Sequence, residues 1–187
     1  MSLRHILAVS LLCVSSVAAA DTLDIALSNS AAQFKYGVPS SLAGKSEMYA
    51  EMMYNDVNSL MGGAGVLVAN DQGNGLSVGI GAKVVAANIK WSPNRKNTSA
   101  VALGAQLRFE VPAERRLAFS GEFYYAPKII TFGDADSFQQ FGVRMEYAIS
   151  HQTLAYVGYR KISFGLPNTN NEAVMVNGPH IGIQLAF

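Results

Sequence analysis

Eight charged residues stand at alternate positions of otherwise apolar or small-residue stretches, and their side chains are the main candidates for chemistry in this sequence. Four are acidic and four are basic. If they face a narrow interior, we expect them to pair, because an unpaired charge in a confined space is costly. The same groups could instead line a path for small solutes that is gated by rearranging the pairs. The eight are Glu51, Lys83, Arg108, Glu110, Glu122, Arg144, Glu146 and Arg160.

Groups for catalysis or metal binding are few. A lipid-modifying enzyme or a protease needs a histidine with a serine or carboxylate within reach. Beyond residue 20 the histidines are His151, in a predicted turn, and His180, on the polar face of the last strand. The single cysteine, Cys13, lies near the start of the chain. We therefore predict no enzymatic activity, no catalytic residue, no cofactor and no metal site.

The last eight residues form an alternating strand that ends on an aromatic residue. Its apolar face carries Ile181, Ile183, Leu185 and Phe187, and its other face carries small or polar residues. This pattern resembles the closing strand of bacterial outer-membrane β-barrels, which lipid contacts on the apolar side. The resemblance implies that these four residues act as an assembly signal for the barrel-assembly machinery, with periplasmic chaperones as earlier partners.

Residues 1–20 predict a cleavable signal peptide. A basic start at Arg4 precedes about a dozen mostly apolar residues and the small residues at positions 18–20. The apolar run is too short for a transmembrane helix, which needs about 20 residues. Cleavage after residue 20 would remove Arg4 and no other charged residue, which leaves 13 of the 14 Lys and Arg residues. These balance the 13 Asp and Glu residues, so the mature chain would carry no net charge. That balance gives no electrostatic case for nucleic-acid binding.

Alternation of apolar and polar residues predicts strands along the whole of residues 21–187. The two clearest runs, 76–86 and 101–111, keep their apolar faces free of charge and carry Lys83 and Arg108 on the other face. Lipid outside and a polar interior fit this pattern. A soluble lipocalin-like barrel in the periplasm would show the reverse arrangement. The tyrosines and Trp91 are then expected in belts at the membrane interfaces.

Nine strand segments are evident, yet single-chain outer-membrane barrels have even strand numbers. A hairpin at residues 28–31 would make ten strands, whereas absorbing the turn at 55–58 into a long outer loop would make eight. The prediction is an all-β antiparallel transmembrane barrel of 8–10 strands, and ten is favoured because the alternation changes phase near Asn29. Turns at 70–75, 112–116 and 150–152 are then periplasmic, and polar loops at 88–99, 126–137 and 165–171 are external.

Six short motifs spread over the mature chain resemble the YfaZ family of small proteobacterial outer-membrane proteins. They are residues 23–29 (LDIALSN), 81–83 (GAK), 102–104 (ALG), 124–127 (YYAP), 132–136 (FGDAD) and 157–160 (VGYR). The resemblance implies a porin-like barrel in the outer membrane and supplies no catalytic residue.

The function of the barrel is expected to depend on how completely side chains fill its interior. A short turn at 112–116 sets Arg108 opposite Ser120 and diagonal to Glu122, which predicts an Arg108–Glu122 ion pair. An interior bounded by eight to ten strands is just wide enough for side chains to fill it. We therefore expect a monomeric barrel with a narrow, charge-paired lumen and a structural role, with a gated channel for small solutes as the alternative.

Overall fold

The computed structural model describes residues 21–41, 45–91, 94–167 and 172–187. The predicted signal peptide lies outside these ranges. The described chain forms ten long antiparallel strands, one three-residue strand and a single 3₁₀ turn. No helix in these ranges is long and apolar enough to cross a membrane. In order, the elements are β1 Thr22–Ser28, β2 Ala31–Ser40, β3 Lys45–Asn55, β4 Leu60–Gly73, β5 Leu76–Trp91, β6 Asn94–Glu110, β7 Leu117–Ala126, a 3₁₀ turn Lys128–Ile130, β8 Thr131–Gly133, β9 Ser137–Ala148, β10 Thr153–Gly165 and β11 Glu172–Ala186.

The ten long strands close into a barrel. Each pairs with its neighbour in sequence, β7 pairs with β9, and the first strand meets the last. Ile25 of β1 lies opposite Phe34 of β2 on one side and Ile183 of β11 on the other. The short β8 extends the sheet beside β6, next to the end of β7. The prediction of ten strands is confirmed, and the phase change near Asn29 is the β1–β2 hairpin.

The outer surface of the barrel is apolar between its two ends. The side chain of Ile80 is 69% exposed and that of Leu103 is 61% exposed, although both sit in the middle of long strands. The lipocalin-like alternative would bury these residues and is wrong. The same outward face includes Val84, Leu107, Phe123, Phe141, Val143, Val157 and Ile181. Such a surface fits a bilayer.

The tyrosines divide between the two faces, so the expectation that all of them form interfacial belts is wrong. Tyr36, Tyr54, Tyr125, Tyr147 and Tyr159 point outward. Tyr49, Tyr124 and Tyr156 are buried inside the barrel. Whether a tyrosine faces lipid or the interior depends on its position in its strand, because successive side chains point to opposite sides of the sheet.

Two predicted connections are shorter than expected. The turn placed at 70–75 contracts to Asn74 and Gly75, which have φ of 54° and 80°. Positive φ at both central residues is the type I′ geometry that an Asn-Gly pair favours. The polar loop placed at 88–99 is mostly strand, because β5 runs to Trp91 and β6 starts at Asn94. Polar residues there belong to strands that extend past the apolar band.

Candidate functional site

The interior of the barrel is built in three layers along its axis. We call the end that carries residues 21 and 187 the terminal end, and the opposite one the far end. Inward side chains near the terminal end and in the middle are polar, whereas those toward the far end are apolar. All eight charged residues singled out from the sequence lie on inward positions, four in each of the two polar layers.

The layer nearest the terminal end, here the rim network, joins two arginines to three carboxylates. Arg108 Nε donates to Glu146 Oε2 at 2.9 Å, and Arg108 also pairs with Glu110. Arg144 donates to Glu146 Oε1 at 2.6 Å and to Asp24 Oδ2 at 3.1 Å. Glu146 is 1% exposed, so its charge is held by two guanidinium groups together with the Ser120 hydroxyl at 2.6 Å.

The middle layer, here the central network, is a continuous chain of hydrogen bonds across the interior. Lys83 Nζ donates to Glu51 Oε1 at 2.7 Å and to Gln140 Oε1 at 2.6 Å. The other carboxylate oxygen of Glu51 accepts from Gln33 at 3.0 Å. Gln140 in turn donates to Glu122 at 2.7 Å. Because five different strands supply these groups, the network ties the walls of the barrel together.

Arg160 and His180 complete the central network at its other end. The Arg160 guanidinium donates to the side-chain oxygen of Gln33, and its Nη2 lies 3.5 Å from His180 Nε2. Arginine can only donate, so Nε2 of His180 acts as an acceptor and the ring proton sits on Nδ1. Arg160 is 8% exposed and His180 is 5% exposed.

An apolar plug closes the lumen beyond the central network. Four residues of that network have a large apolar side chain on the same face, two positions nearer the far end. Met53 follows Glu51, Val85 follows Lys83, and Ile162 follows Arg160; each is at most 1% exposed. Phe138 lies two positions before Gln140, and its ring packs against that of Phe164 with the centroids 5.0 Å apart and the planes tilted by 53°. We define the plug as Met53, Met61, Val85, Phe138, Ile162 and Phe164.

The long β7–β9 connection completes the closure of the far end. It spans residues 127–136, within the loop predicted at 126–137, and its Ala135 is buried against the plug. Asp134 N donates to Asn97 O at 3.0 Å, and Asp136 N donates to Gly165 O at 2.8 Å. These backbone bonds join the connection to β6 and β10.

A polar cavity of about 40 Å³ lies within the central network. It is small, since one water molecule needs at least ~10–15 Å³. Lys35, Gln106, Glu122 and Arg144 line it and are partly exposed, so solvent reaches it from the terminal end. The interior is therefore a blind vestibule that ends at the plug.

The predicted Arg108–Glu122 ion pair is wrong. Arg108 does lie opposite Ser120, and Gln106 lies opposite Glu122, as the short turn implies. The guanidinium nevertheless turns toward Glu146 and Glu110, where it bonds two carboxylates. Glu122 accepts from Gln140 instead.

Comparison with known proteins assigns the chain to a family. A family profile described as "YfaZ precursor" matches residues 2–187. The chain belongs to the YfaZ family. Outer membrane protein YfaZ of Escherichia coli (strain K12) is 25% identical over 128 residues, which cover 63% of this chain and 69% of that protein. This YfaZ-family protein is an outer-membrane β-barrel.

Solved structures similar to the YfaZ-family barrel include two of a porin. "KdgM porin" aligns with a TM-score of 0.46 and 10% identity, over 90% of this chain and 99% of that one. "KdgM porin in complex with disordered oligogalacturonate" aligns with a TM-score of 0.47 and 10% identity, over 89% and 99%.

Several residues of the candidate site were not singled out from the sequence. Asp24, Gln33 and Gln140 point into the barrel. Their alternation with apolar neighbours in the sequence indicates this inward orientation. The plug residues are harder to identify from the sequence. A strand that is apolar on both faces shows no alternation, as around Val84 and Val85. In the described part of the chain, no cluster of His, Cys, Asp or Glu could hold a metal ion.

Proposed function

We propose that this protein is a non-conducting, structural barrel of the outer membrane with a narrow, charge-paired lumen. The observation that carries the proposal is the plug, whose side chains are excluded from solvent and lie across the lumen beyond the Lys83–Glu51 pair. A solute entering the vestibule from the terminal end meets packed apolar side chains. Opening a path would require their displacement together with the β7–β9 connection.

Conductance in planar bilayers tests the proposal. The wild type is expected to show no steady current. Phe138→Ala combined with Phe164→Ala removes two rings from the plug and is expected to produce frequent openings. The matched control is Phe141→Ala with Phe123→Ala, which removes two rings from the lipid-facing surface and should stay closed. A large, stable wild-type conductance would contradict the filled lumen.

A gated channel for small solutes is the second candidate, favoured by the vestibule being polar and open to solvent at one end. If rearranging charge pairs opens the lumen, Glu122→Ala should raise the frequency of openings with the plug intact. If the plug closes the lumen, Glu122→Ala should leave the frequency of openings unchanged. Arg108 keeps its ion pairs with Glu110 and Glu146 in this variant, because Glu122 is not one of its partners. The two candidates therefore differ in the response to one variant.

We further infer that the protein is not an enzyme. The buried His180 contacts Arg160, at 3.5 Å between nitrogens, and Tyr156, at 5.8 Å between ring centroids. Ser28 lies opposite His180 in the sheet, but its hydroxyl bonds the backbone of Ala31. Neither a serine nor a carboxylate bonds this histidine within the described ranges, and the Escherichia coli relative is named as an outer membrane protein. The partners that fit are outer-membrane lipid and, during biogenesis, chaperones and the barrel-assembly machinery, with the mature barrel a monomer.

A further inference from the structure

We propose that the outward face of the β5–β6 hairpin binds the phosphate group of an acylated lipid in the leaflet around the far end. Lys90 and Arg95, here the cation pair, hold the phosphate. They lie directly opposite each other on the two strands. The sequence predicts the surrounding leaflet to be the external one. Such a site specifies the outer-membrane lipid proposed above as a partner and rests on that proposal, but it is independent of whether the lumen conducts.

The β5–β6 hairpin carries positive charge without carboxylates of its own. Residues 76–109 include five Lys and Arg residues and no Asp or Glu. Lys83 and Arg108 point inward and pair with carboxylates of other strands. Lys90 and Arg95 are exposed and form no ion pair with any residue that the structure describes. Like charges directly opposite in a sheet repel, so an anion shared by the two would remove a destabilising contact.

Carboxylates elsewhere at the far end do not neutralise the cation pair. Asp136 and Glu172 pair with lysines of other elements. Asp134 accepts from a backbone N–H of β6 on the side of β8, and Asp56 lies in the β3–β4 turn, bonded to the β1–β2 turn. In the described ranges none of these four pairs with the cation pair. Lys96 adds a third positive charge to the hairpin, so an excess remains when Asp56 and Asp134 are counted.

Arg95 is oriented by neutral acceptors and keeps its charge for a further ligand. Its Nη1 donates to Asn88 Oδ1 and, at 3.2 Å, to Asn58 O. Asn88 is itself held by a bond from its amide nitrogen to Asn97 Oδ1 at 2.6 Å. A guanidinium group presents its donors as a planar fork that matches the oxygens of a phosphate. Nε and Nη2 of Arg95 bond no residue that the structure describes, so that edge of the fork can receive one.

The cation pair lies at the headgroup level of the bilayer. On β5 the outward residues from Leu76 to Ala86 are apolar, and Asn88 and Lys90 follow them. Ten residues of strand span about 33 Å, which is about 25 Å across the membrane at a strand tilt of about 40°. That is the height of the apolar band of outer-membrane barrels. Lys90 therefore projects into the layer that holds lipid phosphates.

An apolar groove on the same wall lies below the cation pair, toward the middle of the bilayer. It has a volume of about 530 Å³ and exposes Ala50, Ala64 and Ala82 to the lipid. Nearer the far end, Gly62 and Ala86 lie opposite each other and have little or no side chain to interrupt it. An acyl chain that runs inward from a phosphate at the cation pair would lie in this groove. The occupant is therefore a lipid rather than free phosphate.

Native mass spectrometry of the mature barrel in neutral detergent tests the phosphate contact. Dimyristoyl phosphatidic acid is expected to bind about tenfold more tightly than dimyristoyl phosphatidylcholine, which has the same chains and no net charge. Arg95→Gln should remove most of that preference. Lys96→Met, the matched control, removes one charge from the next position but from the other face of the strand, and should keep it. Equal binding of the two lipids, a preference that survives Arg95→Gln, or an equal loss in Lys96→Met would overturn the proposal.

Variants of the groove and a competition on the wild type keep the proposal testable if Arg95→Gln does not fold. Ala64→Phe fills the groove and should weaken the binding of phosphatidic acid by about fivefold or more, because methylene groups lose their contacts. Ala105→Phe adds the same ring to the outward face of β6 outside the groove and should bind normally. Inorganic phosphate should not displace the lipid. Unchanged binding by Ala64→Phe, or displacement by inorganic phosphate, would overturn the lipid site and leave the closed lumen untouched.

Discussion

The Lys83–Glu51 pair is the most deeply buried contact between charges that the described residues contain. Its side chains are 1% and 3% exposed, and each charge has a further hydrogen bond, to Gln140 and from Gln33. Such a pair adds little net stability over apolar side chains of the same size, but loss of one partner leaves a buried charge alone. The pair therefore specifies how the strands are arranged more than it stabilises them.

Substitutions at this pair should reveal that asymmetry. Glu51→Leu alone is expected to lower the free energy of unfolding by about 3–5 kcal/mol, whereas Glu51→Leu with Lys83→Met should recover most of the loss. Lys128→Ala is the control, since its pair with Asp136 is largely exposed and contributes at most about 1 kcal/mol. Urea unfolding in lipid vesicles measures all four proteins. Equal losses for the single and double variants would contradict the pairing.

At the scale of elements, the strand that closes the barrel is also the one that carries the predicted assembly signal. β11 pairs with β1 from Ser28 and His180 down to Thr22 and Ala186. Phe187 extends that seam, because its N–H and C=O both bond Asp21 at 3.0 Å, while its ring points outward and is 64% exposed. The ring is thus free for recognition without being needed for the interior.

Phe187→Asp is expected to reduce the amount of folded barrel in the outer membrane of living cells, because the exposed ring is replaced by a charge where assembly factors would dock. Phe187→Tyr keeps the aromatic ring and should assemble normally. The purified Asp variant, refolded in detergent, should unfold at nearly the wild-type urea concentration, since the interior is untouched. Normal membrane levels of Phe187→Asp would remove this residue from the assembly signal.

At the scale of the whole molecule, closing the sheet into a barrel leaves no free sheet edge within the bilayer. Every backbone N–H and C=O must be bonded internally there, because lipid offers no hydrogen-bond partner. A closed barrel of this kind should resist sodium dodecyl sulfate until it is heated. The mature protein is therefore expected to migrate differently on a gel before and after boiling. Ile25→Pro, which removes a backbone donor from a strand paired on both sides, should abolish the difference. Identical migration of the wild type under both conditions would argue against closure.

The sequence alone determined which residues face lipid and which face inward, because side chains alternate along a strand whatever its neighbours are. It also located the hairpin at residues 28–31 and the turn within 70–75, whose turn chemistry is local, although the structure narrowed the second to Asn74 and Gly75. Only the tertiary structure decided which inward polar side chains meet. Lys83 and Gln140 are 57 residues apart, and Arg144 and Asp24 are 120 apart, so their contacts arise from closing the sheet. Closure likewise brought together the apolar plug, whose residues come from strands β3, β4, β5, β9 and β10 and carry no common motif.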